Sequence, residues 1–244
     1  MTNLDILAEG AVALGVELSE LQLGQFQTYL DGLTEWNKRK NLTSPGALAD
    51  AERVHFLDSL SLVPVLRREA PNGRRLVDVG SGAGFPGLAL KIALPELDVV
   101  LVEATGKKAE FLTWMKNSLA LGEVEVLAER AELVARREGY REAFDVATAR
   151  AIGSLKLVLE LTLPFCKIGG VLIAQRGGDA EEEAALAAKA SSTLGGGEPS
   201  VEPAFASLAA DAETRGSIAV VWKISETSDR FPRRDGIPAK RPLT

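Results

Sequence analysis

Apolar positions near the start of the chain recur at three- and four-residue spacing. Leu18, Leu21, Phe26, Tyr29, Leu30, Leu33 and Trp36 trace one face of an amphipathic helix. Ser19 followed by Gln22 has the spacing of a capping box at its start. A second helical pattern runs from Ala47 to Arg68, interrupted by Pro64, and Pro71-Asn72-Gly73 breaks it. From residue 74 the texture changes. Apolar runs at 75–79, 98–103, 123–128, 144–149 and 170–175 predict strands, while 86–94, 107–121 and 154–168 between them have helical spacing. A further helix is expected over about 179–193, stopped by Gly195-Gly196-Gly197, and then Glu202–Leu208 and Ser217–Ile224 suggest a closing hairpin. Such alternation predicts an α/β fold, a parallel sheet covered by helices on both faces with ligands at the carboxyl ends of its strands. The expected organisation is a helical extension over 1–72, a sheet domain over 73–228 and a tail over 229–244.

The connection after the first strand narrows the chemistry. Asp78-Val79-Gly80-Ser81-Gly82-Ala83-Gly84-Phe85-Pro86-Gly87 follows the apolar pair Leu76-Val77 and precedes a helical segment. Glycines in a strand-to-helix turn let backbone approach a ligand closely, which points to a nucleotide or a nucleoside-containing cofactor. Gly82-x-Gly84-x-x-Gly87 satisfies the dinucleotide fingerprint literally, a weak match by itself. Against a pyrophosphate stand the acid Asp78 at the strand end and Pro86, which has no N–H to offer in the first helical turn. No Gly-Lys-Ser/Thr follows, so the loop is not a P-loop. An acid followed by Gly-x-Gly-x-Gly is instead the first motif of S-adenosylmethionine-dependent methyltransferases. The second strand ends in Glu103, about 20 residues past the loop, where a Rossmann-like site holds ribose hydroxyls. Ala104, Thr105 and Lys107 are then expected along the adenosine edge.

Composition adds mainly exclusions. Of 244 residues, 46% are apolar and 25% charged, with a formal net charge of −6. No 18-residue apolar run spans a membrane, and MTNLDILAEG lacks the marks of a signal peptide. The expectation is a cytoplasmic protein. One cysteine, Cys166, and one histidine, His55, exclude a disulfide framework and make a metal site improbable. Cys166 lies in an apolar helical run from Leu161 to Ile168 and reads as a core residue rather than a nucleophile. Glu181-Glu182-Glu183 reads as a solvated face, whereas Arg230, Arg233, Arg234, Lys240 and Arg241 make the tail basic.

The acceptor is read from the end of the fourth strand, which faces the transferable methyl. Asp145-Val146-Ala147-Thr148-Ala149-Arg150-Ala151 is not the Asn/Asp-Pro-Pro-aromatic loop that grips an exocyclic amine. Arg150 is left at the mouth of the site.

At this point the chain resembles a known family over nearly its whole length, the bacterial 16S rRNA guanine-N7 methyltransferases of the small-subunit methyltransferase G type, also called glucose-inhibited division protein B. The resemblance rests on Trp36 to Thr43, His55 to Leu60, Asp78 to Gly87, Glu103 to Lys108 with Phe111-Leu112, and Arg130-Ala131-Glu132. It continues in Ala149-Arg150-Ala151 and in the tail Arg230-Phe231-Pro232-Arg233-Arg234-x-Gly236-x-Pro238. The family usually has Ser-Arg-Ala at the second-last segment and Lys-Gly where this chain has Arg176-Gly177 after Gln175. Arg176 keeps the charge with a different hydrogen-bond geometry.

The resemblance implies a Rossmann-like class I S-adenosylmethionine-dependent fold with a seven-stranded, mostly parallel sheet. It implies S-adenosyl-L-methionine as cofactor and methyl transfer to a guanine N7 of 16S rRNA, in the small subunit or an assembly intermediate. Gly80, Gly82 and Phe85 would border the methionine part beside Asp78, and Ala131-Glu132 would frame the adenine. Arg150 would donate to guanine O6 or a phosphate, leaving N7 free. Asn37, Asn41 and Arg176 are candidate RNA contacts, although Asn41-Leu42-Thr43 equally suits a helix-ending turn with Thr43 or Ser44 capping the next segment. His55 and Asp58, three apart, read as an interhelical hydrogen-bonding pair that docks the extension. Arg233 and Arg234 read as phosphate contacts. A monomer without metal or membrane is the default. Two other readings stay open: a methyltransferase of the same fold with a non-RNA substrate, and an RNA-binding assembly factor without activity.

Overall fold

The computed structural model describes residues 4–177, 179–204 and 216–244. Its N-terminal part is helical: α1 (Asp5–Ala13), α2 (Glu20–Lys40), α3 (Pro45–Ala49), a π-helical turn (Glu52–Leu57), α4 (Asp58–Leu60) and α5 (Leu62–Glu69). The capping box forms as its spacing predicts, with Gln22 N donating to Ser19 Oγ (3.3 Å) and Ser19 N to Gln22 Oε1 (2.8 Å). The same Gln22 amide donates to Ile92 O at 2.7 Å, which pins α2 to the sheet domain. Leu21 departs from the expected stripe and is 74% exposed, because the buried face of α2 runs through Phe26, Tyr29 and Leu33. Pro64 does not interrupt its helix. It occupies the first turn of α5, where a missing N–H is tolerated.

Seven strands follow: β1 (Arg75–Val79), β2 (Asp98–Val102), β3 (Val124–Leu127), β4 (Phe144–Arg150), β5 (Cys166–Arg176), β6 (Ser200–Pro203) and β7 (Ser217–Trp222). They form one sheet in the order β3-β2-β1-β4-β5-β7-β6. The first five are parallel, while β7 runs antiparallel to β5 and to β6. The connections are α6 (Gly87–Ala93), α7 (Gly106–Ser118), α8 (Ala131–Val134), α9 (Leu155–Thr162) and α10 (Ala180–Thr193), and the tail adds α11 (Ile237–Lys240). The predicted helix over 154–168 ends at Thr162, since Pro164 has no N–H for Glu160 O. Cys166 therefore heads β5, paired with Phe144, instead of sitting in a helix. Of the expected strand 202–208, residues 205–208 lie outside the described residues.

Strand alternation divides the core in two. Leu76, Val146, Ile173 and Val220 face one side, in one core with Leu90 of α6, Leu112 of α7 and Leu7, Phe26, Tyr29, Phe56, Leu60 and Val63 of the N-terminal helices. Val77, Ala147, Leu172 and Val221 face the other, against α8, α9 and α10. The N-terminal helices share the first face with α6 and α7, α2 lying against both and α5 against β5. β1 lies between β2 and β4, so the direction of strand progression reverses there and opens a crevice at the carboxyl ends.

Candidate functional site

The glycine loop fills that crevice because its backbone takes conformations closed to most residues. Gly80, Gly82 and Gly84 have φ of 71°, 60° and 95°. A Cβ at Gly84 would stand 2.3 Å from the Tyr29 hydroxyl, which donates to Ala83 O at 2.6 Å. The loop is therefore moulded on a tyrosine from α2. Glu103 holds its other side, Oε2 accepting from Gly82 N (2.9 Å) and Oε1 from Thr105 N (2.7 Å).

Asp78 is the second-last residue of β1. It is fully buried beneath the loop, outside the cavity wall, and its Oδ2 accepts from Gly87 N at 3.0 Å. Strand alternation turns it inward, where Oδ2 braces the turn and Oδ1 has no hydrogen-bond partner within the protein. Burial pushes its carboxyl up to about 7, against the opposing pull of the Gly87 N–H.

Above the loop lies a cavity of about 480 Å³, within the usual range for small-molecule sites. Gly80, Gly82 and Phe85 line one side, and Glu103, Ala104 and Thr105 a second. Ala131 and Glu132 close a third, with Arg150 at the rim. Lys108 reaches the wall in place of the expected Lys107. Glu132 is buried at 5% exposure and not on the surface, and its Oε1 accepts from Gly236 N at 3.0 Å. Gly236 and Ala239 of the tail also line the cavity. The donor set fits the expected cofactor. A Cβ at Gly82 would meet only Gly80 O, at 3.8 Å, so the backbone there is open to a ligand. Glu103 keeps acceptor capacity for hydroxyls beyond the two amides it holds.

Arg150, the last residue of β4, is held from three directions. Its Nη1 donates to Asp58 Oδ2 (2.8 Å) and to Val54 O (3.0 Å), and its Nη2 lies 3.2 Å from His55 Nδ1. The guanidinium stands 5.2 Å from the Phe85 ring centre. Phe85 stacks on both His55 (4.6 Å, 9°) and Tyr29 (5.0 Å, 7°). Burial, assisted by the Arg150 charge, lowers the His55 pKa to about 4, so the ring is neutral. Burial pushes Asp58 above its ordinary value while Arg150 draws it back. His55 and Asp58 do dock the extension on the sheet, but by each turning to Arg150. Gln175 adds a third tie, its Nε2 donating to Asp58 O at 2.7 Å. A second cavity of about 400 Å³ opens on the far side of Arg150, between Asp58, Gly153, Gln175 and Arg176.

The remaining candidates separate. Asn37 Oδ1 accepts from Leu42 N (2.7 Å) and Thr43 N (2.9 Å), and Asn41 takes the left-handed conformation that ends α2. Both are built into the helix-ending turn, and Ser44 caps α3. Arg176 lines the second cavity with its guanidinium on Glu183 (2.6 Å). Arg233 is bound to the fully buried Glu160 through Nε (2.8 Å) and Nη2 (2.6 Å), whereas Arg234 is exposed. The parts that spacing does not reveal are Tyr29, the Arg150 clamp and the tail in the cavity wall.

Comparison with known proteins places the chain among relatives. The family model described as rRNA small subunit methyltransferase G matches residues 22–207. A protein named ribosomal RNA small subunit methyltransferase G from Chloroflexus aggregans is 47% identical over 98% of this chain and 97% of its own. One of the same name from Dehalococcoides mccartyi is 44% identical over 97% and 98%. Among solved structures, a putative O-methyltransferase from Klebsiella pneumoniae superposes with a TM-score of 0.55 at 15% identity, covering 81% of this chain and 90% of that one. Geranyl diphosphate methyltransferase in complex with SAM gives 0.51 at 16% identity, covering 75% and 94%. The likeness is one of fold.

Proposed function

The chain belongs to the rRNA small subunit methyltransferase G family, and we propose that it methylates N7 of a guanine in 16S rRNA, within the small subunit or an assembly intermediate. S-adenosylmethionine, the methyl donor of this fold, supplies an electrophilic methyl on a sulfonium sulfur. Gly80, Gly82 and Phe85 would hold its amino-acid part, Glu103 its ribose hydroxyls and Ala131-Glu132 its base.

The observation that carries the reading is the position of Arg150 between the two cavities, with the cofactor cavity on one side and a mouth lined by Gln175 and Arg176 on the other. Guanine N7 has an in-plane lone pair and no proton to lose, so its methylation needs alignment and electrostatic support, not a general base. The residues at hand suit that demand. His55 is neutral and engaged on both ring nitrogens, by Arg150 and by Thr43 Oγ1 at 2.9 Å. Cys166 is fully buried, its thiol pushed up to about 12 by burial. Arg150, held rigid by Asp58, Val54 O and His55, is suited to donate to guanine O6 or a flanking phosphate and leave N7 free to attack.

Incubation of the protein with labelled S-adenosylmethionine and small subunits from cells lacking the enzyme tests this. The label is expected in 16S rRNA at a site cleaved by the borohydride–aniline chemistry specific for 7-methylguanine. Label in protein, or in rRNA that resists that cleavage, would overturn it.

A further inference from the structure

The basic tail does not extend into solvent. Residues 227–240 cross from α8 to α9 and are fastened along their length. Arg136 donates to the carbonyls of Asp229 (2.9 Å), Arg230 (3.3 Å) and Pro232, and Arg141 to those of Thr227 and Phe231 (3.0 Å). The Phe231 ring is buried in the core beneath α9. Glu160, fully buried, takes Arg233 through the backbone N–H (2.9 Å) as well as the guanidinium. Glu132 then holds Gly236 N, and Gly236 and Ala239 stand in the cavity wall.

We infer that this segment is a strap forming the nucleobase end of the S-adenosylmethionine cavity, with Glu132 and Glu160 acting through it as positioning residues. The inference rests on the cavity being the cofactor site. Three observations carry it. Arg233, the one partly buried cation of the segment, is neutralised by a buried carboxylate and also donates to Arg241 O (2.7 Å), so it serves the strap, while Arg230, Arg234, Lys240 and Arg241 stay exposed. A cation so paired releases few counterions on meeting a phosphate. The fastening uses carbonyls of the strap itself, so its ordered form does not depend on a bound nucleic acid. Finally, Glu132 is committed to the strap by one carboxylate oxygen, so the group that frames one wall of the cavity also sets the position of the next.

The test is S-adenosylmethionine affinity measured calorimetrically without RNA. It compares the wild type, a chain ending at Asp229 that also carries Glu160→Gln to avoid an orphaned buried charge, and full-length Ala239→Trp. Ala239 is exposed, so its substitution reaches the cavity wall without entering the core. Both variants are expected to bind the cofactor at least about tenfold more weakly, with the KM for S-adenosylmethionine rising more than kcat falls. Unchanged cofactor affinity in folded variants, with loss confined to the KM for small subunits, would make the tail an RNA contact and overturn the inference. If the shortened chain does not fold, Ala239→Trp decides. A wild type that does not bind S-adenosylmethionine would instead sink the reading of the cavity.

Discussion

Arg150 Nη2 and His55 Nδ1 lie 3.2 Å apart, and that contact fixes the state of the imidazole. A guanidinium can only donate, so Nδ1 accepts and Nε2 carries the hydrogen that goes to Thr43 Oγ1. The folded ring resists protonation down to about 4, against an ordinary 6.5. Between those values the unfolded chain binds the extra proton, so the contribution of His55 to stability is complete above 6.5 and is lost as pH falls toward 4. His55→Gln, which keeps an acceptor for Arg150, should flatten the acid side of the stability profile in urea titrations. A profile as steep as the wild type's would show that the loss arises elsewhere.

Asp78 works in the opposite sense. Its folded carboxyl holds a proton up to about 7 and its unfolded one only to 3.8, so its contribution is present below 3.8 and lost as pH rises through about 7. Asp78→Asn mimics the protonated form. Its melting temperature relative to wild type should improve as pH rises through that interval, and a constant difference would refute the assignment.

Arg150→Lys keeps the charge but not the fork that bonds Asp58, Val54 O and His55 together. The rate of methyl transfer to small subunits should fall about 100-fold or more, with cofactor affinity changing far less. Arg150→Ala should in addition destabilise the fold by about 3 kcal/mol, because Asp58 is left poorly solvated without its cation. Wild-type turnover by the lysine variant would remove Arg150 from its place beside the acceptor.

Tyr29 and Gly84 should be coupled. Tyr29→Phe loses the hydrogen bond to Ala83 O, about 1 kcal/mol, and loosens the loop, raising the KM for S-adenosylmethionine. Gly84→Ala places a methyl against the Tyr29 hydroxyl at a φ of 95° and should be much worse. In the double variant the hydroxyl is gone, so the combined cost should be smaller than the sum of the two. Strict additivity would mean that the backbone strain, and not the tyrosine, dictates the glycine.

Glu103→Gln can still accept one of the two amide N–H groups it now holds, but its NH₂ opposes the other. Cofactor affinity should drop about tenfold, measurable by the same calorimetry. No change would place the ribose elsewhere.

Much of the fold is legible in the chain. β1 and β2 are buried on both faces, so they read as unbroken apolar runs with sharp ends. β5 is longer than its apolar run because Gly169-Gly170 falls within it, and its start blends into the preceding helical pattern. The glycine loop and Glu103 are legible because their chemistry is carried by contiguous residues and one strand-end position. The grip on Arg150 is not, since Asp58 lies 92 residues earlier and spacing in sequence does not encode that approach. The three-residue spacing of His55 and Asp58 is visible, but nothing in it says that both turn to an arginine. Arg233 looks available to a phosphate because Glu160, 73 residues away, is hidden inside α9.

The link from Asp58 to Gln175 spans 117 residues, and that from Asp58 to Arg150 spans 92. The second cannot close until β4 has been synthesised, nor the first until β5 has, although the helix they hold leaves the ribosome first. Contacts of such sequence separation form late in folding, because a long loop must close before they repay its entropy. The grip on Arg150 should therefore form after the glycine loop, and the strap over the cofactor cavity, made of the last residues and tied to Glu132 across 104 positions, later still. A nascent chain that already has its glycine loop would still lack the arginine's fixed aim.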